Sequence, residues 1–98
     1  MLIHIVCWKY RPDVDEAARD EHRSRLAALK TLIPNIERLD VGKDVLHLER
    51  SFDTGLIADF ADRAALELYN DHPEHQTVVA IGRAIAEKVV SVDFMRPE

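Results

Sequence analysis

The chain has one cysteine, Cys7. No intrachain disulfide can form, which fits a reducing compartment, and a zinc site built on paired thiolates is excluded. The histidines show no zinc-type spacing either, so no metal is expected. Long apolar runs are missing too. None approaches the roughly 20 residues that cross a bilayer as a helix, and the start, Met1–Val6, lacks the basic n-region, long h-region and cleavage site of a secretory signal. Positive charge is in deficit: 13 Lys and Arg against 18 Asp and Glu leave a net charge of -5. Without a basic cluster or basic–aromatic interleaving, nucleic acid is not an expected partner. Repeats, linkers and low-complexity segments are absent. These absences predict a soluble, cytoplasmic protein with no membrane contact.

What remains is 98 residues with 47% hydrophobic content, the size and composition of one compact domain spanning residues 1–98. Residues 2–10 (LIHIVCWKY) are rich in β-branched and aromatic side chains and predict a strand. Alternation sets Ile3, Ile5 and Cys7 on one face and Leu2, His4, Val6 and Trp8 on the other. Cys7 is expected to face the helices as inert core. Ala18, His22, Leu26, Leu29 and Ile33 recur at helical spacing over 14–33, with Asp13 or Asp15 as cap and Pro34 as stop. Residues 36–42 and 55–60 alternate as strands around a polar connection. Asp62 caps a short helix through Asn70, and Pro73 both ends it and opens the next. That helix is expected to reach about Lys88, with His75, Val78, Val79 and Gly82 on one stripe, before a last strand over 89–95.

The order β-α-β-β-α-β predicts an α+β fold, one antiparallel sheet with helices on a single face. The first and last strands are apolar on both faces, so a lone subunit would expose an apolar patch. This predicts a homodimer with two sheets face to face, and a small-molecule cavity at their junction.

The densest chemistry lies between Leu68 and Gln76. Tyr69, His72 and His75 cluster around Pro73, bringing together two of five histidines and one of two tyrosines. His75 falls in the first turn of its helix, where the dipole disfavours imidazolium, while Asp71 and Glu74 pull the other way. A neutral His75 is suited to act as a base. Tyr69 could hold a carbonyl or enolate through its hydroxyl. His72, directly before Pro73, is expected to brace the turn or cap the helix. His4 sits mid-strand beside Val6 and Trp8, where a polar group needs a partner. His22 and His47 are expected to be ordinary helix-face and loop residues.

Ile3-His4-Ile5-Val6, Ile33-Pro34, Val41-Gly42-Lys43-Asp44, Tyr69-x-x-His72-Pro73-x-His75 and Val92-Asp93-Phe94 occur in this order along essentially the whole chain. In this the sequence resembles the stress-responsive dimeric α/β-barrel (Dabb) family, which includes plant stress-induced proteins, bacterial members and olivetolic acid cyclase. The resemblance implies a ferredoxin-like βαββαβ subunit with a four-stranded antiparallel sheet, assembled into a dimeric α/β barrel. That cyclase performs a cofactor-independent aldol cyclisation. Its tyrosine–histidine pair matches Tyr69 and His75, its first-strand histidine matches His4, and its apolar pocket positions match Val6, Trp8 and Leu56; Val78 extends this lining on the helix stripe. A further pocket histidine of the cyclase is replaced near Thr54, and the loop before it is shorter here. Two functions follow as expectations: cofactor-independent cyclase, isomerase or lyase chemistry, or a non-catalytic stress-related or ligand-binding dimer. Cofactor-free monooxygenases and haem proteins share such barrels, but no residue here points to either.

Overall fold

The computed structural model of the protein describes residues 1–97. Seven elements follow in chain order: β1 (Leu2–Tyr10), α1 (Glu16–Leu32), β2 (Arg38–Lys43), β3 (Thr54–Phe60), α2 (Arg63–Asp71), α3 (Pro73–Ile85) and β4 (Ala86–Met95). The sheet order is β2-β3-β1-β4, with every neighbouring pair antiparallel. This is the ferredoxin-like arrangement that the element order predicts.

Local chemistry sets the boundaries. Asp15, not Asp13, caps α1: its side chain accepts the Ala18 N–H at 2.9 Å. Asp13 instead takes a hydrogen bond from Arg11 Nε. Asp62 caps α2 in the same way, accepting from Ala65 N–H at 2.9 Å. α3 ends at Ile85, three residues short of the expected Lys88. Ala86, Glu87 and Lys88 are good helix formers, but sheet pairing with the end of β1 overrides that weak preference. Lys88 pairs with Lys9 and Ala86 with Tyr10 across a register irregularity, and Arg11 N–H donates to Ile85 O at 2.9 Å.

Leu2, His4, Val6, Trp8 and Tyr10 point toward the helices. Leu2, Trp8 and Tyr10 join Leu26, Leu29, Leu56, Phe60 and Tyr69 in one buried cluster, with Val6 packed against it. Cys7 therefore lies on the opposite face with Ile3 and Ile5, and the expectation that it faces the helices is wrong. Both faces of β1 are apolar, so alternation fixes the partition without saying which set faces inward. The bulkier set, with both aromatics, takes the helix side. On the other face, Val90, Val92 and Phe94 of β4 are 41–53% exposed.

His22 also departs from expectation. It is fully buried, and its Nδ1 lies 2.7 Å from the Tyr10 hydroxyl. That hydroxyl is 2.9 Å from Thr54 Oγ1, which also accepts from Arg23 Nη1 at 2.9 Å. The far nitrogen, Nε2, has no hydrogen-bond partner and abuts Gly82, where a Cβ would come within 2.9 Å of it. Burial, with Arg23 adding repulsion, holds His22 down at about 4.

The consequence for stability has a definite sign. The unfolded chain takes up a proton on this imidazole near pH 6.5, whereas the folded state resists it. The His22 contribution is complete above that pH and declines as pH falls toward 4, by on the order of 3 kcal/mol. Urea unfolding at pH 7 and pH 4.5 should show a steeper acid loss for the native protein than for a His22→Asn variant, which cannot take up that charge.

Candidate functional site

Pro73 has no N–H to donate, and its ring keeps His72 out of the helical region. His72 is extended, with φ -64° and ψ 134°, so α2 and α3 are separate helices joined at a corner. His72 caps α3, its Nδ1 accepting the Glu74 N–H at 3.1 Å. In an unbroken helix that N–H would have gone to the carbonyl of Asn70. Released, the Asn70 carbonyl accepts from His75 Nδ1 at 3.0 Å and also from the Gln76 side chain.

A carbonyl can only accept, so His75 Nδ1 carries the proton and, in the neutral ring, Nε2 keeps its lone pair. Burial lowers the His75 pKa; the Asn70 hydrogen bond opposes this, and the nearby His4 and His72 add to the lowering. The ring of Tyr69, from the last turn of α2, lies 4.3 Å from that of His75 at an interplanar angle of 41°. Tyr69 is 1% exposed, and burial alone pushes its hydroxyl up to about 12. It stays protonated and able to donate throughout the physiological range. The buried His4 approaches Tyr69 edge-on at 6.1 Å and donates through Nδ1 to Asp93 Oδ1. Asp93 stands directly opposite His4 in the β1–β4 register.

His4, Tyr69, Asn70 and His75 line a cavity of about 300 Å³ between the sheet and the helices, within the range of small-molecule sites. Val6, Trp8, Leu56 and Val78 share its wall with His4, Tyr69 and His75. This cavity lies between the sheet and the helices of one subunit, a place distinct from the junction of two sheets where the sequence leads one to expect a cavity. The helix layer stands far enough off β1 and β4 to leave room for it. His72 and Pro73 form the corner outside the wall. Thr54 faces the Tyr10–His22 cluster, away from the cavity lining.

The family model of the stress responsive A/B barrel domain matches residues 2–96. The chain belongs to the Dabb family. No curated protein matches it by sequence. Among solved structures, a dimeric ferredoxin-like protein from Bacteroides fragilis is 25% identical, with a TM-score of 0.84 over 95% of this chain and 93% of that one. A dimeric ferredoxin-like protein from Thermobifida fusca is 24% identical, with a TM-score of 0.86 over 95% and 88%. The hydroxynitrile lyase from Passiflora edulis is 17% identical, with a TM-score of 0.88 over 99% and 94%, a likeness of fold alone.

Several residues that line this Dabb cavity, or hold those that do, escape a reading of the sequence alone. Asp93 would have emerged from pairing β4 against β1, since it faces the one histidine of that strand. Asn70 contributes through its backbone carbonyl, which no side-chain pattern reveals. Leu26, Val79, Arg83, Val89 and Ser91 complete the wall. No cluster of three or more His, Cys, Asp or Glu suited to a metal ion occurs among the described residues, and none of the described helices is long and apolar enough to cross a membrane.

The geometry at His75 makes a spectroscopic prediction. Nitrogen-15 NMR of the imidazoles should show His75 as the Nδ1–H tautomer, titrating below the ordinary value near 6.5. An Nε2–H ring, or a midpoint above 6.5, would contradict the Asn70 hydrogen bond and the burial.

Proposed function

We propose that this Dabb chain forms a homodimer in which each subunit's cavity binds a small carbonyl compound and moves a proton on it without a cofactor. The observation that carries this reading is the close, tilted contact of the Tyr69 and His75 rings. A neutral imidazole with an unprotonated nitrogen lies beside a phenol that remains a donor, on the wall of an apolar cavity.

His75 Nε2 takes a proton from the carbon next to a substrate carbonyl. Charge develops on that carbonyl oxygen, and the Tyr69 hydroxyl donates to it. The enolate carbon then attacks a second carbonyl in the same molecule, closing a ring, or is reprotonated by His75, giving an isomer. In the ring closure, the imidazolium returns its proton to the new alkoxide. His4, held by Asp93, borders the same space and assists in orienting the oxygen. The Passiflora edulis neighbour is a lyase on this fold, and cleavage by the reverse of such a carbon–carbon step needs the same two groups. Under the other reading, a binding dimer without chemistry, the cavity holds a ligand but moves no proton.

Deuterium exchange separates the two. In heavy water, ketones and β-diketones that stabilise the protein in a thermal-shift screen should lose α-protons faster with the protein than without it. His75→Ala should slow that exchange by about 10²–10⁴-fold, and Tyr69→Phe by about 10²–10³-fold. Ligand-induced stabilisation with no accelerated exchange would leave a binding protein.

The open sheet face supports the homodimer, since Val90, Val92 and Phe94 stand exposed there and two solved relatives are dimeric. Light scattering at micromolar concentration should give the mass of two chains, and Val92→Glu should reduce it to one. A single-chain mass for the native protein would remove the dimer.

A further inference from the structure

The cavity has two chemically different ends. His4, Tyr69 and His75 occupy one. From His75 to Arg83 along α3 is eight residues, or about 12 Å; from His4 to Trp8 along β1 is four residues, or about 13 Å. These two paths lead to the same place, because a Cβ on Gly82 would lie 3.3 Å from Trp8 Nε1. Val6, Leu56, Val78 and Val79 make the stretch between apolar.

Arg83 stands at the far end. Several other arginines lie against carboxylates, such as Arg23 against Glu16 and Asp20 and Arg38 against Asp40, whereas the exposed Arg50 and Arg83 have no such partner among the described residues. Arg83 lines the cavity yet makes no ion pair or side-chain hydrogen bond among the described residues. No Asp or Glu lines the cavity, so Arg83 is the one permanent charge in its wall. In a chain of net charge -5, the overall field repels anions, and any preference for one must come from a local cation.

We propose that Arg83 anchors the carboxylate of the ligand, which makes the ligand class an elongated molecule with an anionic end, an apolar middle and a carbonyl about 10–12 Å away. This rests on the acid–base reading of Tyr69 and His75 for the other end. A guanidinium offers two parallel N–H donors that match a carboxylate, and a single cation suits a monoanion. Anchored there, a linear oxo-acid extends past the valines and delivers its carbonyl to Tyr69. A neutral analogue has nothing to fix its register and slides.

Calorimetric titration with two probes tests this. One is a ten-carbon linear carboxylic acid with a methyl ketone at its far end; the other is its methyl ester. The wild-type protein should bind the acid about three- to fivefold more tightly than the ester at low ionic strength, the modest gain expected of a partly exposed pair. The preference should shrink in high salt. Arg83→Met should bind acid and ester alike, and Arg83→Lys should keep part of the preference. Persistence of the preference in Arg83→Met would overturn the anchor. Equal affinity of the wild type for both probes would overturn it too, while leaving the Tyr69–His75 reading intact. Failure of the wild type to bind either probe would overturn both.

Discussion

The site depends on one missing hydrogen bond. Proline at position 73 cannot donate to Tyr69, and the extended His72 it enforces halts the helical ladder. Everything reactive follows from that break. The last turn of α2 and the first turn of α3 meet at a corner, so the Tyr69 and His75 rings touch although six positions separate them. The carbonyl of Asn70, deprived of its helical partner, fixes the proton on one nitrogen of His75. A continuous helix would place these side chains on different faces and consume that carbonyl in its own ladder. The backbone break is therefore also a tautomer selector.

Polarity on the covered side of the sheet is concentrated in two places. His4, hydrogen-bonded to Asp93, borders the cavity, while Tyr10, His22, Thr54 and Arg23 form a separate cluster beneath the start of α1. Trp8 lies between them, its ring edge-on to His22 at 5.2 Å. The second cluster satisfies most of its polar atoms but leaves His22 Nε2 without a partner against Gly82. An unpaired buried nitrogen costs stability, and the neutral ring is the form that keeps this cost smallest. The cavity end is arranged differently: the Tyr69 hydroxyl makes no hydrogen bond among the described residues, so that donor remains available.

Much of the architecture can be read from the sequence because it is written in local terms. Strand alternation, the aspartate cap of α2, Pro34 and Pro73 locate the elements, and the Tyr69-to-His75 spacing marks the corner. What cannot be read depends on partners far apart in the chain. Which face of β1 looks inward is decided by packing against α1 and α3, not by alternation, and so Cys7 faces away from the helices. His22 sits on a helical stripe that any buried leucine could share; its role comes from Tyr10 and Thr54, on two different strands. The end of α3 is set by the demand of Tyr10 for a sheet partner rather than by the helix-forming residues that follow Ile85. The cavity was expected between subunits because an uncovered sheet face is visible in the pattern, whereas a gap between sheet and helices is a matter of volume.

β4 serves two surfaces at once. Val89 and Ser91 form part of the cavity wall, while the alternate residues Val90, Val92 and Phe94 face outward, and the strand is paired only with β1. An edge strand held from one side opens more readily than a central one. Whatever covers its outer residues also steadies the wall behind them, and a ligand pressed against Val89 steadies the outer face in return. In the proposed dimer with the proposed ligand, occupancy and self-association would be two readings of the same strand's order. By thermodynamic reciprocity, any factor by which assembly tightened a ligand would equal the factor by which that ligand tightened assembly.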